Sequence, residues 1–291
     1  MNYSAALPKP RARINTLILT REFNYLRPYE TRLVRVGPKA DCGYVIPESV
    51  ANSTKSLYSI GISTDWDFEV EMAQRNPKLR VRAFDRSSGW KVFLYVGVRD
   101  LLRGDPSEVV PQSARSRLSS ARKYFELAIR FRLFFIGRRI FKRLWVRSPG
   151  LSKDEITFEK SIEGIFRSGS TMIKIDIEGG EYQLANELLN ALKCNKSAIN
   201  CMVMEFHDTH SRRAEFQKLV EGVSRHLPIV HLHGNNCAPV ASDGLPHVIE
   251  ITFAQNTGLA TSQQLKFPLI GLDYPNDNSV PDCVFEFIPE S

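Results

Sequence analysis

Short apolar runs alternate with helix-spaced segments along most of this 291-residue chain, and that alternation limits the fold more than any other feature. Leu57–Ile60 is a short run closed by Gly61, and a helical pattern follows from Phe68 to Arg75. Val81–Phe84 ends in Asp85. Phe158, Ile162, Ile165 and Phe166 share a helical face between Thr157 and Phe166, and Met172–Ile175 then closes on Asp176. Leu184, Leu188, Leu189 and Leu192 repeat at helical spacing between Glu181 and Lys193. A strand over Ile199–Phe206, a helix over Ala214–His226, a strand over Ile229–Leu232 and a β-branched strand over Val248–Phe253 follow. Strands separated by helices predict an α/β protein with a mostly parallel sheet covered on both faces. The last two strands have no helix between them and predict a closing antiparallel pair.

Such sheets bind ligands outside the carboxyl ends of their strands. Gly61, Asp85, Asp176, Glu205 and His233 all fall at those ends. Gly61 lets backbone approach a cofactor, although an ordinary strand-to-helix turn explains it too. Asp65 ends the Ser59–Asp65 run after the first strand and joins the cofactor set. Asp85 suits a pair of ribose hydroxyls, as in dinucleotide folds, and the missing glycine-rich pyrophosphate loop argues against NAD. Asp176, Glu178 and Glu181 place three carboxylates within six residues. Their repulsion calls for a helix N-terminus, a cation or a cationic ligand, and the sulfonium of S-adenosylmethionine (SAM) is such a ligand.

The ordered pieces resemble the FkbM family of SAM-dependent methyltransferases. Lys174-Ile-Asp-Ile-Glu-Gly-Gly-Glu-Tyr182 carries the likeness, with Arg35–Gly37, Asp41–Pro47, Tyr58–Gly61, Asp67–Glu69, Val203–His207 and His231–Asn236 in matching order. Cys42 stands where relatives usually have a second glycine, and Gly180 replaces a common alanine. The resemblance implies a Rossmann-like methyltransferase fold over residues 34–291 behind an N-terminal extension, 1–33. It also implies methyl transfer to a hydroxyl of a small molecule or saccharide. Asp41, Tyr44, Glu205 and Asn235 then belong to the acceptor side. His207, His233 and Asp176 are the candidate proton acceptors. Asp176, Glu205, His207 and His233 also form a candidate set for a divalent metal such as Mg²⁺, the alternative being hydrogen-bonded histidines lining a cleft. A non-catalytic SAM- or nucleoside-binding scaffold is the competing class.

Hydrophobic residues make up 43% of the chain, enough for a core without staples, and the five cysteines form no CxxC pair. The N-terminus lacks the apolar region of a secretory signal, and no run approaches a membrane span, so a cytoplasmic protein is expected. The net charge of +7 is unevenly spread. Eleven basic residues between Arg115 and Arg147 face one acidic residue, Glu126, leaving the rest of the chain negative. This basic, aromatic stretch is expected as a helical insertion at about 91–150, broken near Gly137. Its apolar and basic residues do not separate into clean faces on one helix. It can serve as a solvated cap or as a peripheral contact with an anionic membrane or acidic acceptor. Nucleic acid is disfavoured, because the remaining chain offers no wider basic track. The sequence is silent on oligomeric state.

Overall fold

A computed structural model describes residues 17–103, 114–149, 152–255 and 265–289. Its centre is a seven-stranded sheet built from β1 (Ser56–Ile60), β2 (Arg80–Phe84), β3 (Arg139–Lys142), β4 (Thr171–Ile175), β5 (Ile199–Phe206), β6 (Ile229–Gly234) and β7 (Ile249–Ala254). The strand order is β6-β7-β5-β4-β1-β2-β3. β1 to β5 run parallel to one another, and β7 is antiparallel to both β5 and β6. The closing antiparallel pair is therefore present, with β7 inserted between β5 and β6. This is the Rossmann-like methyltransferase topology.

The strands of the sheet's centre are apolar on both sides because both faces are covered. Tyr58, Ile60, Ile173, Ile175, Met202 and Met204 point into one core, where α4 (Ala185–Cys194) and α5 (Arg213–Ser224) bring Leu188, Leu192, Phe216 and Leu219. Leu57, Met172, Cys201 and Val203 point into the other. There α1 (Asp67–Arg75), α2 (Trp90–Arg103) and α3 (Ala114–Phe134) contribute Phe68, Met72, Phe93 and Phe131.

Several boundaries differ from the sequence reading. The segment expected as one helix through Thr157–Phe166 is an α-helix over Phe158–Ile162 and a 3-10 turn over Ile165–Ser168. The pattern from Glu181 begins as a 3-10 turn before α4. The helical reading of Leu118–Arg147 fails beyond Phe134. The chain turns through Gly137 and adds β3 to the sheet edge beside β2, with Ile140 and Phe141 between basic residues. The stretch at about 91–150 thus holds a helix pair and a strand of the sheet itself; its residues 104–113 and 150 lie outside the described residues. Residues 1–16 of the expected extension also lie outside them. Its remainder packs on the domain: Leu17–Leu19 pairs in parallel with Phe285–Phe287, and Phe23 and Leu26 are buried in the first core.

Candidate active site

The carboxyl ends of β1, β2 and β4 open into a cleft of about 520 Å³. Gly61, Asp85, Asp176 and Glu178 line it, so four of the five expected cofactor residues meet in one place. Asp65 does not line it. Its Oδ1 accepts the Asp67 N–H at 2.8 Å, so it closes the first turn of α1 instead. Gly61 owes its identity chiefly to the neighbouring strand. It sits at φ +77°, and a Cβ there would collide with the Asp176 carbonyl oxygen.

Asp85 is only 7% exposed and is committed to its own surroundings. Oδ2 accepts the Ser63 N–H at 2.8 Å. Oδ1 accepts the Ser87 N–H, the Ser87 hydroxyl and the Ser88 N–H at 2.7, 2.6 and 3.1 Å. The carboxylate thus fixes the loops after β1 and β2, and its remaining acceptor capacity is on Oδ2. Across the cleft stand Leu144, Trp145, Val146 and Arg147, which follow β3. Trp145 offers a ring there, and the Arg147 guanidinium lies 5.5 Å from its centroid.

A second, acidic group of side chains stands at the ends of β5, β6 and β7. Strand register creates it: Glu205 is opposite Glu250, and Glu250 is opposite His233, so one row crosses three strands. The hairpin of Leu33–Val36 with Tyr44–Pro47 adds its turn to this side. Asp41, Glu205 and Glu250 bring carboxylate oxygens within 4.8 Å of one another. Asn276 donates to Asp41 and to Glu250, each at 3.0 Å. Asn235 donates to Glu205 Oε1 at 3.0 Å, and Tyr44 donates to Asp176 Oδ2 at 3.3 Å. Of the four residues expected on the acceptor side, Asp41, Glu205 and Asn235 join this group, and Tyr44 bonds Asp176 at the cleft.

His207 bridges the cleft wall and this group. Its Nε2 lies 3.3 Å from Glu178 and 3.6 Å from Glu205. The residue is held by the two positions that end the central motif. Glu181 Oε1 accepts its N–H at 2.6 Å, and the Tyr182 hydroxyl donates to its carbonyl at 2.6 Å. Glu181 is thus a buried structural carboxylate. Lys174, from the same motif, is buried against Glu69 at 3.4 Å and ties β4 to α1.

The electrostatics separate the candidate proton acceptors. Burial pushes the Asp176 carboxyl up to about 6, against the pull of Lys174 and His207. Glu205 is raised well above the carboxylate range by burial and by the charges of Asp176 and Glu250. Burial opposes the charged form of His207, but the hydrogen bond and charge of Glu181 outweigh it and raise the ring above its usual value. Burial also opposes charge on His233, yet hydrogen bonds to Asp282 and Glu250 push it up to about 10.

Two expectations for His233 need correction on this geometry. A ring kept protonated at neutral pH has no lone pair for a substrate proton. It is also 2% exposed, with Nε2 3.2 Å from Asp282 and Nδ1 3.5 Å from Glu250, so it faces carboxylates and not a shared ligand position. The expected metal set divides accordingly. Asp176 and His207 group with Glu178, while Glu205 groups with Asp41 and Glu250. Sequence reasoning missed Glu250, Asn276, Asp282 and Trp145. Glu250 and Thr252 were findable as alternate polar positions in a strand that is otherwise apolar; Asn276 and Asp282 lie in a C-terminal loop without periodicity.

No family model matches the chain, and no curated protein matches it. Among solved structures it is similar to fibrillarin from Methanococcus jannaschii, a pre-rRNA processing protein, at 9% identity and TM-score 0.35, over 70% of this chain and 67% of that one. It is similar to Aeropyrum pernix fibrillarin in complex with natively bound S-adenosyl-L-methionine at 13% identity and TM-score 0.31, over 72% and 70% of the chains. A Staphylococcus aureus protein described as a caffeoyl-CoA O-methyltransferase gives 10% identity and TM-score 0.30, over 70% and 78%. Likeness at this level transfers neither residue roles nor substrates. The strand order and the antiparallel seventh strand make this chain an α/β protein of Rossmann-like methyltransferase fold.

Proposed function

We propose that the chain is a SAM-dependent O-methyltransferase acting on a hydroxyl of a small-molecule or saccharide acceptor, with a divalent cation assisting. The observation that supports this reading is the meeting of a cleft of cofactor size with a group of carboxylates, bridged by His207 between Glu178 and Glu205. The donor chemistry fits the cofactor. The free acceptor capacity of Asp85 Oδ2 suits a ribose hydroxyl, Trp145 offers a ring face, and Asp176 with Glu178 forms an anionic wall suited to a sulfonium. Bound there, SAM supplies an electrophilic methyl group.

The chain's own contribution is alignment, exclusion of water and handling of the acceptor proton. Asp41, Glu205, Asn235 and Asn276 present hydrogen-bonding groups matched to a polyhydroxyl acceptor. Before a cation binds, Asp176 is placed as base: at about 6 it is mostly ionised at neutral pH, yet more basic than an exposed carboxylate; with the cation held there, it would serve as ligand instead. Oxygen donors with one imidazole suit Mg²⁺ or Mn²⁺, and Asp176, Glu178 and His207 would hold it. The second reading, a nucleoside-binding scaffold, draws on the four hydrogen bonds that Asp85 already accepts.

Transfer of a labelled methyl group from SAM to a panel of sugars and hydroxylated small molecules tests the proposal. Label in an acceptor oxygen, lost in Asp176→Asn and reduced by EDTA, is expected. Tight SAM binding without transfer to any acceptor favours the scaffold, and full turnover in EDTA removes the cation.

A further inference from the structure

Ten of the fifteen large apolar side chains exposed among the described residues lie between Trp90 and Ile136, on and just after the α2–α3 pair. On α2, Trp90, Leu94, Val98 and Leu101 follow helical spacing along one solvent-facing stripe, flanked by Tyr95 and Leu102, which are 68% and 69% exposed. On α3, Leu118, Ile129 and Leu133 form a matching stripe, with Leu133 64% exposed. The stripes meet where Trp90 and Leu94 face Phe125, Ile129 and Leu133 across a groove of about 440 Å³.

The pair is a fixed unit. A Cβ on Gly97 would lie 2.7 Å from the Phe125 ring, so glycine permits the close approach of the helices. Buried Asp100 accepts from Ser120 at 2.7 Å across the same contact. Nine Lys or Arg side chains occur on the two helices against Asp100 and Glu126 alone. Either helix by itself mixes apolar and basic residues, but the assembled hairpin presents a continuous apolar surface among cations.

We infer that the α2–α3 hairpin is a peripheral docking surface for an anionic lipid bilayer. Apolar side chains enter the acyl boundary, Trp90 and Tyr95 suit the interface, and the basic residues meet lipid phosphates. Charge decides against the other occupants. A two-fold dimer through this face would set Arg132, which lines the groove, and Lys91 beside Trp90 against their own copies. A nucleic acid would meet mostly Leu94, Val98, Leu101, Leu102, Ile129 and Leu133, an aliphatic surface that outweighs the rings of Trp90 and Tyr95. No helix among the described residues is long and apolar enough to cross a membrane, which leaves surface attachment as the mode. The inference is independent of methyl transfer.

Flotation of the full chain with vesicles tests it, using pure phosphatidylcholine and an equal mixture of phosphatidylcholine and phosphatidylserine. The wild type is expected to float with the mixture, to stay behind with phosphatidylcholine, and to release as salt rises. Leu94→Ser/Ile129→Ser/Leu133→Ser, all at exposed positions, is expected to lower binding at least ~10-fold without changing the circular dichroism melt. Lys91→Gln/Arg103→Gln/Arg132→Gln keeps the apolar stripe and is expected to lose the preference for phosphatidylserine. No flotation with either vesicle overturns the inference, as does binding that neither variant weakens. A dimer abolished by the triple Ser variant, or RNA binding in place of vesicle binding, assigns the surface to another partner and also overturns it.

Discussion

Removing the Asp85 carboxylate should destabilise the ligand-free protein, whatever it does to cofactor affinity. Four hydrogen bonds end on this side chain, three of them from backbone N–H groups. Ser63 and Ser87 are exposed, so water replaces the carboxylate there at a cost of roughly 0.5 kcal/mol each. Ser88 is buried, and its N–H is left unpaired in Asp85→Ala at a cost of ~2 kcal/mol. The whole loss is about 3 kcal/mol. Asp85→Asn retains an acceptor at Oδ1 but turns an NH₂ toward the Ser63 N–H, and should lose about 1 kcal/mol. Urea denaturation without ligand, at neutral pH and with unchanged m-values, reads both. An alanine variant within ~0.5 kcal/mol of wild type would refute the loop-fixing role and return Asp85 to ribose binding alone.

Three further outcomes follow from the same geometry. Gly61→Ala should abolish stable folding or cost more than ~3 kcal/mol, because the added methyl overlaps the Asp176 carbonyl; a melt like wild type would contradict that contact. The Asp176 carboxyl titrates higher folded than unfolded, so wild-type stability falls as pH rises from 3.8 to about 6. In chelator, Asp176→Asn should escape this loss and exceed wild type by ~1–2 kcal/mol at neutral pH, the half-buried side chain keeping the gain modest; equal stabilities across that window would contradict the burial argument. For His233 the sign reverses. Its stabilisation is complete below 6.5 and disappears as pH rises through about 10, so His233→Gln should be less stable than wild type at pH 7 but not above that range. An NMR midpoint near 6.5 for this ring would restore it as a candidate base.

The sheet was legible because its central strands are apolar runs closed by Gly61, Asp85 and Asp176. β3 was hidden because an edge strand needs few apolar residues, and Ile140 and Phe141 stand among arginines and lysines. Asp176, Glu178 and His207 stood out as chemistry, since the two motifs that carry them, Lys174–Tyr182 and Val203–His207, lie at strand ends. The division into two carboxylate groups was not, because it depends on the register that sets Glu205 beside Glu250 and Glu250 beside His233. Asp282 gives no signal at all: it reaches His233 from a loop almost fifty residues away. The outer face of the α2–α3 hairpin escaped for a related reason, since its apolar surface exists only when two helices are placed together.

The decisive measurement is binding of SAM to the purified chain by calorimetric titration, with S-adenosylhomocysteine as competitor and NAD as control. One SAM per chain is expected, displaced by S-adenosylhomocysteine and not by NAD, and weakened by Glu178→Gln at the cleft wall. No heat with SAM under any metal condition, from a protein whose melt shows it folded, would contradict the cofactor assignment and with it the proposed reaction.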